Sequence, residues 1–135
     1  MKIVLDSNVL MSGLILPESI PGGILQAWRE ARFDLVLSEE MLNEIGRVLS
    51  YAKIRKRLQW NDKQIGRFLL LLKFKSFLVH PVIQKFEGLR DQADAPILAA
   101  LVESQAEALV SGDKDLLVLS EQYPIFSPAE FSKRL

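Results

Sequence analysis

The chain has 135 residues, an apolar fraction of 49% and a formal net charge of zero, which predicts one domain with a sizeable hydrophobic core. It contains no cysteine and one histidine, so disulfides, thiolate zinc sites, cysteine nucleophiles and two-histidine metal sites are excluded. The first residues carry no secretory signal, and no apolar run approaches the roughly 18 residues of a membrane span, so we expect a cytoplasmic protein without membrane contact.

Short apolar runs alternate with segments of helical spacing along the whole chain. In chain order, the predicted elements are a strand at 2–5, an apolar stretch at 9–16, a helix introduced by Pro21-Gly22-Gly23 and running through Trp28, a strand at 33–37, a helix at 41–49 capped by Ser38, a basic connection, a helix at 62–75, a strand at 77–79, a polar loop at 84–93, a helix at 95–105, a strand at 108–110, a short helix or turn at 116–119, a strand at 123–126 and a helix from Pro128.

The predicted strands are three to five residues long and mostly apolar throughout, as in a parallel sheet that is covered on both faces. The predicted fold class is therefore α/β, a three-layer α/β/α sandwich around a mainly parallel sheet of four to five short strands. We expect one domain that spans residues 1–135. In such sheets, functional sites form at the carboxyl ends of the strands.

Acidic side chains stand where the predicted apolar segments begin or end. Asp6 closes the first strand, and Asp113 follows the fourth. Asp94 opens the helix before the fourth strand, and Glu44 lies at the edge of the apolar stripe of the helix after the second strand. Carboxylates at such positions are costly unless a positive group lies between them. We therefore predict a metal centre built from these four acids.

The donors of this centre are all oxygens, which favours Mg²⁺ or Mn²⁺ over Zn²⁺. Such an ion activates a water, neutralises a phosphodiester oxygen and stabilises the leaving oxygen, so it suits phosphate chemistry. Without the ion, we expect the carboxylates to repel one another and some of their pKa values to be raised. Mg²⁺ or Mn²⁺ should then raise the thermal midpoint.

Each acid also has an ordinary structural explanation, as a turn residue, a helix cap or a boundary residue of a helix. Asp115 either caps the short helix that follows it or is a further ligand. Asp91 is expected in the loop before the helix at 95–105, where it can support a ligand. The joint pattern of four acids at the boundaries of one sheet favours the metal centre.

Basic residues are concentrated in one segment. Between Tyr51 and Lys75 lie eight basic residues and one acid, a net charge of +7, while the remainder of the chain carries −7. Such asymmetry indicates an anionic partner for one face, and the alternative is a solvated helix surface. The residues expected to contact a nucleic acid are Lys53, Arg55, Lys56, Arg57, Lys63 and Arg67.

Four motifs taken together resemble the PIN-domain family of nucleases, which includes the VapC-type toxins of toxin–antitoxin systems. In the family's order, they are Val4-Leu5-Asp6-Ser7-Asn8-Val9-Leu10, Leu37-Ser38-Glu39-Glu40-Met41-Leu42-Asn43-Glu44-Ile45, Arg90-Asp91-Gln92-Ala93-Asp94-Ala95-Pro96-Ile97-Leu98-Ala99-Ala100 and Val110-Ser111-Gly112-Asp113-Lys114-Asp115-Leu116-Leu117. The resemblance implies an α/β/α sandwich, dependence on Mg²⁺ or Mn²⁺, ribonuclease activity on RNA, a homodimer and a cognate antitoxin protein.

The resemblance also implies roles for individual residues. The catalytic and metal-binding acids of the family correspond to Asp6, Glu44, Asp94 and Asp113, with Asp115 as a further candidate. The residues expected to orient these acids or contact a phosphate are Ser7, Asn8, Ser111 and Asp91. One departure is Gln92-Ala93, where relatives often carry further acids, so fewer acids are available for a second ion.

Two other interpretations fit parts of the sequence. The first is a PIN-like fold retained for binding RNA or protein with weak catalysis, which the presence of all four acids disfavours. The second is a phosphatase of the haloacid-dehalogenase type, which shares a strand-ending Asp and a late Gly-Asp motif. That class has a second Asp two residues after its nucleophile, where this chain has Asn8. Trapping of an aspartyl phosphate would identify the phosphatase.

Overall fold

The computed structural model describes residues 1–82 and 84–135. Its strands are β1 (Lys2–Leu5), β2 (Asp34–Ser38), β3 (Phe77–Val79), β4 (Ala108–Val110) and β5 (Ile125–Phe126). They form one sheet in the order β3-β2-β1-β4-β5, and every pair is parallel. Helices cover both sides of this sheet, so the predicted α/β/α sandwich is confirmed.

The helices connect these strands in chain order. They are α1 (Ser7–Ile15), α2 (Ile20–Arg29), α3 (Glu39–Leu49), α4 (Ala52–Leu58), α5 (Asp62–Lys75), α6 (Ala95–Ser104), α7 (Lys114–Leu117) and α8 (Pro128–Ser132), with a 3₁₀ turn at Gln92–Asp94 before α6. In the part of the chain that is described, no single helix is long and apolar enough to span a membrane. α1 and α2 together have the length and composition of a span, but they meet at a bend of 96°.

The middle of the sheet explains why the strands are so apolar. β1 pairs with β2 on one side and β4 on the other, and Val4 lies opposite both Val36 and Leu109. These three side chains are fully buried. α6 packs across β1 to β4, and its residues from Ile97 to Leu101 are all buried. Each fully buried Leu or Ile stabilises the fold by roughly 1.5–3 kcal/mol relative to exposure.

The strand order also creates a crevice. The chain first moves from β1 towards β3, and later returns through α6 to β4 on the other side of β1. Right-handed crossovers place connections that run in opposite directions on opposite faces of the sheet. The segments that leave β1 and β4 therefore diverge, and they open a crevice at the carboxyl ends of these two neighbouring strands. Asp6 and the segment 111–113 lie at that edge.

Some predicted elements differ from the observed ones. Gly22 and Gly23 do not precede the second helix but lie within α2, which begins after the cap Ser19. The apolar stretch at 9–16 forms most of α1. The basic connection contains α4, and the residue that follows this helix, Gln59, has the left-handed conformation with φ of 58°. β5 has two residues rather than four. These differences arise because packing against neighbours stabilises short helices that local spacing alone does not indicate.

Candidate metal centre

The parallel register of β1 and β4 places Asp6 beside the segment that follows β4. The backbone N–H of Asp6 donates a 2.9 Å hydrogen bond to the carbonyl of Val110. Asp6 and Asp113 are each the N-cap of the next helix, α1 and α7 respectively. In both cases one carboxylate oxygen accepts a backbone N–H two residues later, at 3.4 Å from Asn8 and 2.9 Å from Asp115.

Ser111 holds these two acids together. It is fully buried, and its hydroxyl donates a 2.7 Å hydrogen bond to Oδ2 of Asp6. The hydroxyl oxygen of Ser111 also accepts a 3.0 Å hydrogen bond from the backbone N–H of Asp113. Ser7 adds a longer contact of 3.5 Å from its hydroxyl to Oδ1 of Asp6. Asn8 contacts Asp6 through its backbone, and its side chain is exposed.

Asp94 lies where α6 enters the crevice. It occupies the N-cap position of α6 but makes no capping hydrogen bond. Its Oδ2 is buried and, among the described residues, has no hydrogen-bond partner. A hydrogen bond between Asp94 and Asp113 forms only when one of the two carboxyl groups carries a proton. With both ionised, Oδ2 of Asp94 is an orphaned buried acceptor, which is costly unless a cation is present.

The pKa of Asp94 reflects its burial and the acids around it. It is raised from 3.8 to about 7, first by burial, then by the negative charges of Asp113, Asp6 and Asp91, and last by the hydrogen bond to Asp113. The raised pKa that the sequence predicts for a metal-free cluster is therefore confirmed for Asp94. Asp6 acts on Asp94 at this edge of the sheet although the two carboxylates are 88 positions apart in the chain.

Asp91 and Asp115, which the sequence predicted only as a supporting residue and an additional candidate ligand, lie close to Asp94. Asp91, Asp94 and Asp115 each offer a carboxylate oxygen, and these oxygens all lie within 4.8 Å of one another. Asp91 is exposed and accepts a 3.0 Å hydrogen bond from the backbone N–H of Ala93, while Asp115 lies 3.9 Å from a guanidinium nitrogen of Arg90. The structure thus brings Asp91 and Asp115 into the cluster, despite the missing acids at 92 and 93.

The donor set fits a hard divalent cation. All of the converging side-chain donors are carboxylate oxygens, and one of them is buried without a partner. Mg²⁺ and Mn²⁺ take such oxygens together with several waters. An ion here would also remove the repulsion that raises the pKa of Asp94.

Glu44 does not belong to the group formed by Asp91, Asp94 and Asp115. It stands on α3, half-buried, and lines a cleft of about 440 Å³ together with Gln92, Ala93 and Ala95. Ala93 and Ala95 flank Asp94 in the chain, so the cleft borders the segment that carries Asp94, although the carboxylate of Asp94 does not line it.

The predicted nucleic-acid contacts lie on α4 and α5. Five of the six are exposed, namely Lys53, Lys56, Arg57, Lys63 and Arg67. Arg55 is instead engaged in a 2.6 Å ion pair with Asp62. Arg57 lines a groove of about 490 Å³ with Arg29 and Trp60.

The sequence predicted no binding role for the polar residues of the cleft beside the segment that carries Asp94. Asn43, Arg47 and Gln92 line it, but none carries a motif of its own. The spacing of Glu40, Glu44 and Arg47 by four and three residues was an available signal, since it places three charged side chains on one face of a helix.

Comparisons with known proteins agree with this geometry. Residues 2–115 match the family described as the PIN domain. The chain is also similar to the uncharacterized protein MJ1680 of Methanocaldococcus jannaschii, with 35% identity over 121 residues, which cover 90% of this chain and 76% of that protein. The match to the PIN domain includes every acid of the candidate centre.

Proposed function

The chain belongs to the PIN domain family, and on that premise we propose that it is a metal-dependent endoribonuclease. PIN domains are generally metal-dependent nucleases, and the finer assignment to RNA is our proposal. The observation that carries it is the surroundings of Asp94, where burial and then the negative charges of Asp113, Asp6 and Asp91 raise the pKa of this carboxyl to about 7. Such a cluster stores repulsion that a divalent cation relieves.

In this proposal Asp6, Asp94 and Asp113 hold Mg²⁺ or Mn²⁺, with Asp115 as an additional ligand. When bound, the ion supplies charge stabilisation at a phosphodiester oxygen and a more acidic water. Ser111 and Ser7 keep the carboxylate of Asp6 in one orientation, as hydrogen-bond donors behind a ligand commonly do. Asp91 and Asn8 lie at the rim, where they can position Asp94 and the substrate phosphate.

Glu44 is proposed to orient the attacking water and to accept its proton. The water oxygen forms a new bond to phosphorus, the bond from phosphorus to the leaving ribose oxygen breaks, and that oxygen takes up a proton from solvent. Glu44 is half-buried and lines the cleft beside the segment that carries Asp94, and the proposal places the attacking water in that cleft. A general base needs only hydrogen-bond reach of that water.

The exposed cations of α4 and α5 are proposed to hold the RNA backbone. Lys53, Lys56, Arg57, Lys63 and Arg67 are exposed and belong to the segment with a net charge of +7. Arg55 is a weaker candidate because it is paired with Asp62. Binding through such residues depends steeply on salt, because each phosphate contact releases counterions.

We further propose that the protein acts in the cytoplasm as the toxin of a toxin–antitoxin pair, and that residues 1–135 form one PIN domain. The VapC-type resemblance supports the toxin role. Exposed apolar side chains on α5 and β3 support a homodimer or an antitoxin contact, since Phe74 is 79% exposed and Leu70, Leu71 and Phe77 are exposed as well.

The packing of Phe131 of α8 edge-on against Phe33, at 5.9 Å between ring centroids, supports a single domain.

The test combines cleavage with metal-induced stabilisation. We expect cleavage of single-stranded RNA in Mg²⁺ or Mn²⁺ and none in EDTA, with Asp6→Asn reducing the rate by about 100-fold or more, because several kcal/mol of charge stabilisation are lost. Asp34→Asn is the matched control, since Asp34 is exposed at the opposite, amino edge of the sheet. An undiminished rate in Asp6→Asn would refute the proposal.

Stability provides a second measurement that does not depend on the substrate. An ion at 100 times its dissociation constant stabilises the folded state by about 2.7 kcal/mol, so millimolar Mn²⁺ should raise the thermal midpoint above that in EDTA. Equal midpoints in both would count against the metal centre. RNA binding without metal-dependent cleavage would indicate a binding module instead, and a trapped aspartyl phosphate would indicate the phosphatase.

A further inference from the structure

The cleft beside the segment that carries Asp94 is large enough for a small ligand. It lies between α3 and the segment that leads into α6, and its volume is about 440 Å³, within the usual range of small-molecule pockets. Its apolar part includes the buried side chains of Met41 and Ile97 together with Pro96.

The charged residues of the cleft come from one face of α3. Glu40, Glu44 and Arg47 are separated by four and three residues, so they project from the same side of the helix. Glu40 and Arg47 are two turns apart, about 10.5 Å along the axis. Within the described residues, none of the three has an ion-pair partner within 4.0 Å. Their donors and acceptors are therefore available to a ligand.

The charge of the cleft argues against a phosphate as its occupant. Two carboxylates and one guanidinium leave the lining with a net charge of −1, and the acidic cluster lies beside it. An uncharged ligand that presents both hydrogen-bond donors and acceptors satisfies such a lining. A nucleobase next to the scissile phosphate has this character, and RNA-binding proteins read single-stranded bases by their edges.

We propose that this cleft binds a guanine base that adjoins the scissile phosphate, an inference that rests on the proposed ribonuclease function. Arg47 donates two hydrogen bonds to O6 and N7, the common mode of guanine recognition by arginine. Glu40 accepts hydrogen bonds from N1–H and the 2-amino group on the other edge. Glu44, between them on α3, remains for the water.

Guanine satisfies both charged groups better than the other bases do. It presents two adjacent acceptors for the fork of Arg47 and two adjacent donors for the carboxylate of Glu40. Adenine places its amino group beside N7, where it faces the guanidinium. Uracil and cytosine each offer only part of the set. Asn43 and Gln92 flank the cleft, and the side-chain amide of Gln92 already donates to the carbonyl of Leu89 at 3.3 Å.

The test measures kcat/KM in Mn²⁺ on short RNAs that differ only in one base. We expect the guanosine substrate to be preferred by roughly 5- to 150-fold, the range of a good bidentate contact. Inosine, which lacks the 2-amino group, should lose part of this preference, and 7-deazaguanosine, which lacks N7, should lose another part. Arg47→Ala should abolish the preference and its sensitivity to 7-deazaguanosine.

Further variants separate recognition from a general structural effect. Arg47→Lys keeps the charge but loses the fork, so it should also become insensitive to 7-deazaguanosine. Glu40→Gln should become insensitive to inosine, and Arg32→Ala, an exposed arginine outside the cleft, should keep the wild-type pattern. Metal-dependent cleavage with no guanine preference, or an unchanged preference in Arg47→Ala, overturns this inference alone. Absence of metal-dependent cleavage of any RNA overturns the proposed function as well.

Discussion

The hydroxyl of Ser111 donates a 2.7 Å hydrogen bond to Oδ2 of Asp6, and so joins two residues that lie 105 positions apart. The contact exists because β1 and β4 are neighbours in register, with Leu5 opposite Val110. Ser111 also accepts the backbone N–H of Asp113. One buried hydroxyl therefore orients two of the proposed metal ligands.

Removing this hydroxyl should impair both stability and activity. We expect Ser111→Ala to lower the free energy of unfolding by about 1–3 kcal/mol, because the buried carboxylate of Asp6 and the half-buried N–H of Asp113 each lose a partner. Cleavage or metal affinity should fall about 10- to 100-fold, as for other residues that orient metal ligands. Ser104→Ala is the matched control, since its buried hydroxyl bonds only to backbone groups at the end of α6. Equal activity in the two variants would contradict the orienting role.

The metal-free protein should be less stable at neutral pH than at mildly acidic pH. The pKa of Asp94 is about 7 in the folded state and 3.8 without the fold, so between these values the folded state binds more protons than the unfolded state. The free energy of unfolding therefore falls as pH rises through this window. Because solvent reaches part of the side chain, we expect a loss of about 1 kcal/mol, or about 3–4 °C in thermal midpoint, from about pH 5 to about pH 8.

Two controls identify Asp94 as the source of that slope. Asp94→Asn cannot ionise, so it should flatten the dependence on pH measured in EDTA. Saturating Mn²⁺ should reverse the dependence in the wild-type protein, because the ion binds the ionised carboxylates and competes with protons. A slope that persists in Asp94→Asn would assign the effect to other groups.

RNA affinity should depend on salt through the exposed lysines of α4. Each phosphate contact on a single strand contributes about 0.7 to the slope of log K against log salt, so Lys53→Ala with Lys56→Ala should reduce the slope by about 1.4. Fluorescence anisotropy with a labelled RNA at several salt concentrations measures it. Lys133→Ala, an exposed lysine after α8, should leave the slope unchanged. Equal slopes for all variants would place the RNA elsewhere.

Two adjacent glycines of α2 should respond oppositely to alanine. A Cβ on Gly22 would lie 2.1 Å from the carbonyl oxygen of Pro17, so Gly22→Ala should destabilise the protein by about 1–3 kcal/mol through overpacking. A Cβ on Gly23 meets nothing within 4 Å, and Gly23→Ala should stabilise the helix by about 0.5–1 kcal/mol. Urea denaturation measures both. Stabilisation by both substitutions would contradict this and would show that a shift of the chain relieves the close approach of Pro17.

Much of the fold was readable from local patterns. Continuous apolar runs predicted the buried strands, and β1, β3 and β4 begin and end as predicted. The helix at 62–75 was also predicted with its observed bounds, from the helical spacing of its apolar residues. The structure adds a capping box formed by Asn61 and Gln64 at its start. α4 was missed, since it has no buried residue and no side-chain cap, and its sequence reads as a run of charges.

The sequence by itself determined the candidate acids and the kind of ion they suit, because residue type decides which ligand atoms exist. The tertiary structure alone decided which acids meet. Strand order brings Asp6 and Asp113 together at the point where the chain reverses its direction across the sheet, and the turn before α6 adds Asp91 and Asp94. It also placed Glu44 in a cleft beside the segment that carries Asp94. The spacing along α3 indicated only that Glu40, Glu44 and Arg47 share one face of the helix. Distances between residues far apart in the chain depend on register and crossover direction, which no local pattern specifies.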